Sequence, residues 1–382
     1  SIYTIPPFLR TVCYPCTYPM TSTDLTVYYN FDIVDTVYLG TSDTVWYTAD
    51  YAQDTLRRYF VPDGTGSLWV DRHACVNGTF PDHPPTIGVA TMDALDEDGY
   101  PYNFVNVSLT GEADYLTSVP INLGIDPGDF LPYEPADSIY LSFFYQPQGL
   151  GNEPETGDSL MLQFWSPTDV QWYNVWSTGG KALQPFEQVL VPVTDNRYLA
   201  SGFHFRFVNI ATLSGSLDHW HIDYVRMAKN RTINDTIIDD MAFVYPAASI
   251  IDDFTSMHWH HFMTAPGAFM RDTITTFEYN LSNTPKLLTN GMQVEWDGTV
   301  LNNFTHPNTP NANPDSWENP FHKITGDYLF EYDTALADTC ITFDVKFWLN
   351  TTPDVRREND TMRFSQHFGN YYSYDDGSAE LG

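Results

Sequence analysis

Acidic side chains gather in a short segment of the sequence, where Asp93, Asp96 and Asp98 are followed directly by Gly99. Ca²⁺ takes carboxylate and carbonyl oxygens, and a glycine allows the sharp turn that lets a loop wrap around an ion. The spacing differs from an EF-hand, which needs acidic residues at alternate positions and a glutamate at the twelfth. Two interpretations remain, a structural Ca²⁺ held by these three aspartates and a solvated acidic turn.

Aromatic side chains are concentrated in the segment that contains Trp165, Trp172, Tyr173 and Trp176. Exposed tryptophans can stack on sugar rings, so Trp172 and Trp176 are candidates for carbohydrate binding. Aromatic residues also supply much of the bulk of a sandwich core. Binding requires both tryptophans on one exposed face beside Asn or Asp side chains, whereas core packing buries both.

A third group, His219, His221 and Asp223, recurs at every second position and so falls on one face of a strand. Two imidazoles and a carboxylate can hold zinc, although on a sandwich face such residues more often form a hydrogen-bonded ladder across strands. The sequence contains no Gly-x-Ser-x-Gly, His-Glu-x-x-His or glycine-rich phosphate loop. We therefore expect a protein that is not an enzyme, with no catalytic residue to assign.

Four cysteines, Cys13, Cys16, Cys75 and Cys340, are candidates for disulfide bonds. Full oxidation would permit several pairings, and the sequence does not choose among them. Cys13 and Cys16 form a Cys-x-x-Cys motif, which inside a cell would indicate redox chemistry or half of a zinc site. Because no second such motif follows, a disulfide that fixes the N-terminal segment is the favoured interpretation.

The chain is strongly acidic, with 49 Asp and Glu against 17 Lys and Arg and a net charge of −32. A surface this negative repels phosphate backbones and anionic lipid headgroups, so nucleic-acid binding is close to excluded. No run of about eighteen apolar residues, the kind that spans a membrane as a helix, occurs in the sequence. The same acidity favours solubility and can hold divalent cations at loops.

Strands must position these candidate residues, because apolar side chains around them recur at every second position. Aromatic residues make up 16% of the chain, which also contains 23 Gly and 26 Pro, a composition typical of an all-β protein with many turns. The rows predict the inner face of a β-sandwich. They comprise Ile139, Leu141, Phe143 and Tyr145; Leu160, Leu162 and Phe164; Phe203, Phe205 and Phe207; and Trp220, Ile222 and Tyr224.

Length and strand signals together predict two β-sandwich domains. We expect an extended arm at 1–23, a jelly-roll domain at 24–228, a polar linker at 229–235 and an immunoglobulin-like or fibronectin-like sandwich at 236–366. Residues 367–382 carry strand and turn signals again. We expect them to be the start of a further segment or a processed C-terminal end.

The first domain carries a resemblance to a known family in the segments YLSFFYQPQGLGNEPETGDSLMLQFW, GFHFRFVNI and DHWHIDYVRM. These resemble large secreted proteins of Bacteroidota, in which a jelly-roll domain related to MAM and galactose-binding-like modules precedes further β-domains and a C-terminal sorting domain. The segments GVATMDALDEDGYPY and NYYSYDDGSAE are similar to the same family. The resemblance covers residues 85–228 and, more loosely, residues 236–382.

This resemblance implies export through the type IX secretion system and residence at the cell surface or outside the cell. Jelly-roll modules of this kind often carry a structural calcium, which supports the interpretation of the Asp93–Gly99 loop as a Ca²⁺ site. The chain departs from the family pattern because it contains no sorting domain. We expect that domain to have been cleaved or to lie beyond Gly382.

A repeated pattern of Asp, then Thr or Ser, then in most cases an aliphatic residue resembles the O-glycosylation motif of envelope proteins from the same phylum. Asp-Thr pairs also open strands in their own right, because both side chains hydrogen-bond local backbone at turns. The candidates for O-linked sugars are Thr36, Thr44, Thr55, Ser138, Ser159, Thr236, Thr273, Thr334 and Thr361.

Residues and resemblance together predict a non-catalytic extracellular protein with a structural or adhesive role at the bacterial cell surface. Its expected partners are other envelope proteins, copies of itself or glycans, with no nucleic acid and no membrane span. The alternative is a carbohydrate-binding, lectin-like module of a larger secreted protein, and a fragment of a secreted hydrolase is a third hypothesis. Ca²⁺ is the cofactor we expect.

Overall fold

Strands dominate the computed structural model. It describes residues 19–21, 44–46, 68–70, 73–252, 254–271, 273–306, 311–314, 316–318, 321–323 and 340–369. The strands of the first half are β1 (Pro19–Thr21), β2 (Thr44–Trp46), β3 (Cys75–Asn77), β4 (Val89–Met92), β5 (Thr110–Thr117), β6 (Ile121–Asn122), β7 (Tyr140–Pro147), β8 (Ser159–Ser166), β9 (Gln171–Gly179), β10 (Glu187–Pro192), β11 (Ser201–Thr212) and β12 (Trp220–Ala228).

Strands β3 to β12 form a jelly roll. One sheet has the order β10-β7-β12-β4-β3, and the other has the order β5-β11-β8-β9, with β6 paired to β11. The chain crosses between the sheets after most strands, and β4 and β12, far apart in sequence, pair side by side. All these pairings are antiparallel. The prediction of an all-β chain built of sandwich sheets is confirmed.

The core of the jelly roll lies between its two sheets. Along β8 burial alternates strictly, so Leu160, Leu162 and Phe164 are fully buried while their neighbours face outward. Phe143 from the first sheet meets Phe207 from the second with ring centroids 4.8 Å apart in an edge-to-face arrangement. Such pairs add to the free energy gained from burying apolar surface, so this contact joins the two layers at their centre.

A second set of sheets follows the jelly roll. A five-stranded sheet has the order β14-β24-β23-β18-β19, a three-stranded sheet has the order β13-β16-β21, and β15-β22 and β17-β20 form pairs. Within the described residues no helix is both long and apolar enough to cross a membrane. The elements are β13 (Met241–Phe243), β14 (Met257–His258), α1 (Trp259–Phe262), α2 (Pro266–Phe269), β15 (Thr273–Thr275), β16 (Glu278–Asn280), β17 (Lys286–Leu287), β18 (Thr289–Trp296), β19 (Thr299–Thr305), β20 (Asn311–Ala312), β21 (Ser316–Glu318), β22 (Phe321–Lys323), β23 (Ile341–Asn350) and β24 (Thr361–Gly369).

Direct hydrogen bonds join the two sandwiches. The segment before β4 supplies two of them: Ile87 N–H donates to the Phe243 carbonyl at 2.7 Å, and His83 N–H donates to the Tyr245 hydroxyl at 2.8 Å. The predicted linker at 229–235 packs on the jelly roll, because buried Arg231 donates from Nη1 to the Ser142 hydroxyl at 2.8 Å. The two sandwiches are therefore in contact beyond their covalent connection.

The buried Asp223 carboxyl on β12 hydrogen-bonds to the segment before β4. Asp223 accepts the Thr86 N–H at 2.7 Å on one oxygen and the Thr86 hydroxyl at 2.8 Å on the other. Burial raises the pKa of Asp223 to about 7, against the opposing effect of these hydrogen bonds and of Arg356 from the second sandwich. The folded protein therefore keeps a proton on Asp223 at pH values where the unfolded chain has lost it.

We expect Phe143→Ala to lower the free energy of unfolding by about 3–5 kcal/mol, because it leaves a cavity between the two sheets. Phe144 is the matched control, since it lies next in sequence on the opposite face of β7 and is only partly buried. Urea denaturation should give a clearly smaller loss for Phe144→Ala. Equal losses for the two variants would contradict the assignment of the inner face.

The free energy of unfolding should fall as the pH rises through about 7, because the pKa of Asp223 is raised in the folded protein. The proton held by Asp223 adds stability that is fully present below the pKa of the unfolded chain and is lost above the pKa of the folded protein. Asp223→Asn should flatten this decline between about pH 4 and 7, as measured by urea midpoints across the range. Asp98→Asn, an exposed change of the same charge, should leave the slope as in the wild type. An unchanged slope in Asp223→Asn would refute the assignment.

Candidate functional site

An aromatic and cationic surface covers the outer face of the second jelly-roll sheet. Because Leu162 and Phe164 point into the core, Gln163 and Trp165 point outward from the same strand. The register then places neighbouring strands beside them, with Trp165 opposite both Trp172 and His204, and Gln163 opposite Asn174 and Arg206. We call this set the outer platform: Tyr115, Gln163, Trp165, Trp172, Asn174, His204 and Arg206.

Arg206 lies at the centre of the outer platform. Its guanidinium carbon is 4.3 Å from the Trp172 ring centroid and 4.8 Å from the Tyr115 ring centroid. Its Nε–H donates to the Gln163 side-chain oxygen at 2.7 Å. Cation–π contacts on both sides and one hydrogen bond hold this side chain in a single orientation.

The other end of the platform is a cluster of three rings. Trp165 stacks on His204 with centroids 5.3 Å apart and an interplanar angle of 20°. Trp172 meets His204 edge to face at 4.8 Å and Trp165 at 5.5 Å. All three side chains are half-buried, so the rings support one another while part of each remains accessible to solvent. The cluster is preorganised, because ring packing fixes side chains that would otherwise be mobile.

The structure places the two candidate sugar-binding tryptophans on opposite faces. Simple alternation would put Trp172 and Trp176 together, but the pairing of β8 with β9 shifts register between Leu162 and Gln163, leaving Val175 as the extra residue of a bulge. Trp176 therefore points inward, with its ring 5.2 Å from Phe143 and 5.0 Å from the ring of Tyr145. Trp172 stays on the outer platform, where its ring contacts the side chains of Trp165, His204 and Arg206.

The outer platform has the chemistry of a sugar-binding surface. Half-exposed indole rings offer flat apolar area to the C–H face of a pyranose, and they need no charge on the ligand. Around them, exposed Asn174 and half-buried Gln163 carry amides, and Arg206 carries guanidinium donors that can reach hydroxyl or carboxylate oxygens. Sites that combine apolar contact with a few oriented polar groups bind small ligands with specificity.

A second candidate site consists of acidic side chains on two loops at one end of the jelly roll. Glu155, Asp158 and Asp218 offer ligand oxygens that all lie within 4.8 Å of one another. Glu155 and Asp158 belong to the loop between β7 and β8, and Asp218 belongs to the loop between β11 and β12. The end of β9 comes close to the first loop at Gly180, where any side chain would collide with the Glu155 carbonyl.

One carboxylate oxygen of this acidic cluster has no hydrogen-bond partner. Asp158 accepts the Glu155 N–H at 2.8 Å, and Asp218 accepts the Thr212 N–H at 2.7 Å through Oδ2. Asp218 is fully buried, and its other oxygen, Oδ1, has no hydrogen-bond partner. Burial and the neighbouring Asp218 raise the pKa of Asp158 to about 6. Three carboxyls this close need protons or a cation between them, because their charges repel.

Hydrogen bonds from its own backbone N–H groups fold the Asp93–Gly99 loop, the predicted Ca²⁺ site. The Asp96 carboxylate accepts the N–H groups of Asp98 and Tyr100 at 3.0 and 2.8 Å, which forms a tight turn. Asp93 lies apart and accepts the Leu95 N–H at 3.2 Å.

Glu155, Asp158 and Asp218 were not proposed from the sequence, because about sixty residues separate their two loops. The available signal was a pair of Gly- and Asp-containing loops beside the two central strands.

The residues spaced by two, His219 directly before β12 and His221 and Asp223 within it, are buried and have separate partners. His219 accepts the Asn152 N–H at 3.0 Å through Nδ1 and stacks on Phe80 at 5.5 Å. His221 bonds to the Thr91 hydroxyl at 2.9 Å through Nδ1. Burial lowers the pKa of both imidazoles, to about 3 for His221. The His221–Thr91 bond crosses paired strands, as a hydrogen-bonded ladder would, whereas the partners of His219 and Asp223 lie in loops.

The modification candidates are dispersed. Cys75 and Cys340 are exposed free thiols, whereas Cys13 and Cys16 lie outside the described residues. Among the O-glycosylation candidates, Thr236 and Thr273 are exposed, and Ser138, Ser159 and Thr361 are half-buried. Thr44 lies in β2, while Thr36, Thr55 and Thr334 lie outside the described residues. Among the described candidates, Ser159 lies next to Asp158 of the acidic cluster, and the others belong to neither candidate site.

Comparison with known proteins gives no family. No family model and no curated protein matches the chain. Among solved structures, a β-glucuronidase of Bacteroides uniformis is 11% identical, with 71% of this chain and 28% of that chain covered and a TM-score of 0.27. A GH2 β-galacturonidase from Eisenbergiella tayi bound to galacturonate is 8% identical, with 78% and 42% covered and a TM-score of 0.28. The chain spans less than half the length of these structures, and with TM-scores this low the fold rests on its own strand order.

Proposed function

We propose that this chain is a non-catalytic interaction protein of the bacterial cell surface, which adheres to glycans through the outer platform. The observation that carries the proposal is the platform itself, a set of half-exposed aromatic rings around an oriented guanidinium on a rigid sheet. Export through the type IX secretion system is part of the same proposal, and the resemblance to secreted Bacteroidota proteins supports it.

Burial distinguishes the platform from ordinary core packing. The aromatic residues of the core, such as Phe164 and Phe207, are fully buried between the sheets. Trp165 and Trp172 lie on the opposite side of the sheet and are only half-buried, so core packing alone does not explain two tryptophans at that position. Stacking on sugar rings uses their exposed surface. The amide of Asn174 and the guanidinium of Arg206 would then hydrogen-bond the ligand and select among sugars.

Structural calcium is a further part of the proposal. Glu155, Asp158 and Asp218 present only oxygen ligands, and the unpartnered Oδ1 of fully buried Asp218 lacks the positive partner that an ion would supply. An ion there would tie the loop between β7 and β8 to the loop between β11 and β12. Its role would be to stiffen one end of the jelly roll, with no part in a reaction.

The glycan proposal is tested by Trp172→Ala in the full chain. A glycan array first identifies ligands of the wild type, and titration calorimetry then measures their affinity. We expect Trp172→Ala to weaken binding at least about tenfold, which corresponds to about 1.4 kcal/mol. Phe104→Ala removes an aromatic side chain that is 72% exposed elsewhere on the jelly roll and should bind as the wild type does. An array without ligands, or full affinity in Trp172→Ala, would contradict the proposal.

The calcium proposal is tested by Glu155→Gln, which removes one carboxylate from an exposed position and so spares the core. Titration of Ca²⁺ into chelator-treated protein should show one bound ion fewer than the wild type. Glu153→Gln is the matched control, because Glu153 is exposed in the same loop and lies outside the cluster. The proposal fails when Glu155→Gln binds as many ions as the wild type.

A further inference from the structure

A cavity of about 360 Å³ lies at the contact between the two sandwiches. Its lining comes from the jelly roll, with Trp69 and Ile222 among its residues, and from the connection between β23 and β24, with Arg356 and Glu358 among its residues. We call it the joint cavity. Sites for small molecules occur preferentially between domains and measure about 300–1,000 Å³. Since none of the described residues that line it belongs to the outer platform or to the acidic cluster of Glu155, this is a separate candidate site.

The joint cavity lies where two neighbouring strands of the first sheet separate. β12 pairs with β4 only as far as Ile222 opposite Ala90, although β12 continues beyond that pair. The chain before β4 turns away from β12, and the Ile87 N–H donates instead to the Phe243 carbonyl of the second sandwich at 2.7 Å. Just past the last pair β12 carries a bulge, at which Tyr224 has a φ of 49°. Bulges end pairing and redirect side chains, and they are frequent beside functional sites.

The jelly roll supplies an apolar wall. Leu116 and Ile222, which line the joint cavity, are 4% and 1% exposed. Trp69 lines it as well and is half-buried, and its ring meets the Phe205 ring edge to face at 5.8 Å, a contact that orients the indole. An apolar group that enters the cavity therefore meets a preformed wall, and binding there removes its surface from water.

The second sandwich supplies two side chains of opposite charge. Arg356 and Glu358 line the joint cavity and are exposed, so a ligand can reach both. Within the described part of the chain, neither side chain forms a hydrogen bond or an ion pair. The guanidinium carbon of Arg356 is 5.9 Å from the Tyr224 ring centroid. The other acidic residue of the lining, Asp223, already accepts hydrogen bonds from Thr86 through both oxygens, so Arg356 and Glu358 carry the charge that a ligand meets.

We propose that the joint cavity binds a free α-amino acid with a large apolar side chain. The Arg356 guanidinium pairs with the ligand carboxylate, for which its forked N–H groups are suited, and the Glu358 carboxylate accepts N–H groups of the ligand ammonium. The apolar side chain packs against Trp69 and Leu116. Because the ligand contacts residues of both sandwiches, its binding stabilises the contact between them.

Charge complementarity selects a zwitterion. A ligand with a single charge pairs with one of the two residues, Arg356 or Glu358, and is repelled by the other. A neutral sugar leaves both without a counter-charge. An amino acid satisfies both at once, and its side chain uses the apolar wall of the jelly roll.

Titration calorimetry of the full chain with L-phenylalanine tests this proposal. We expect binding to the wild type, and Arg356→Gln and Glu358→Gln should each weaken it at least about tenfold. Both changes are at exposed positions and so spare the core. Arg357→Gln is the matched control and should bind as the wild type does, because Arg357 is exposed in the same turn, donates to the Asn350 side-chain oxygen at 3.4 Å and lies outside the lining.

Two analogues that each lack one charge assign the roles. Hydrocinnamate lacks the amine, so its affinity should fall in Arg356→Gln and be kept or raised in Glu358→Gln. Phenethylamine lacks the carboxylate and should show the reverse pattern. The proposal is overturned when the wild type binds no L-phenylalanine or when either variant keeps wild-type affinity for it. It is also overturned when D-glucose binds instead and is lost in Arg356→Gln, a result that would make the cavity a sugar site.

Discussion

Buried carboxylates need protons, hydrogen-bond donors or cations, and this chain has only 17 basic residues to set against 49 acidic ones. Asp114 shows one solution, because it is fully buried and accepts the Ala94 N–H, the Tyr102 hydroxyl and the Asn209 amide. Asp223 shows another, with Thr86 as the donor and a retained proton. At Asp218 the donors run out, since Oδ1 has no hydrogen-bond partner, and this is where we propose an ion.

The two faces of the β5-β11-β8-β9 sheet have different roles: the inner face packs in the core, and the outer face carries the surface for which we propose binding. Its inner face supplies Phe164 and Phe207 to the core, and that packing fixes the backbone to which the outer residues are attached. Arg206 lies between Phe205 and Phe207 in sequence, so the residues that bury the strand also orient the guanidinium on the other side. A binding surface built on a packed sheet loses little conformational entropy when a ligand arrives.

Much of the architecture could be predicted from the sequence, because strict alternation is a local signal. The rows at Leu160–Phe164 and Phe203–Phe207 lie in the core where period two places them. The bulge at Val175 could not be predicted, since nothing in QWYNVWSTG marks the extra residue. The acidic cluster could not be predicted for a different reason: Asp158 and Asp218 become neighbours only because β8 pairs with β11. Local patterns therefore predicted elements, whereas sites required tertiary structure.

The extra residue in β9 has a consequence for how this strand can change over time. Deleting Val175 would restore plain alternation while leaving Trp172 and Asn174 on the outside and Trp176 on the inside, because the pairs on both sides of the bulge already match β8. That indole would keep its place against Phe143 and Tyr145. A one-residue deletion in β8, which carries no extra residue, would instead turn the side chains beyond it to the opposite face. The bulge is thus the position in this pair of strands at which the chain can shorten without exchanging core and outer residues.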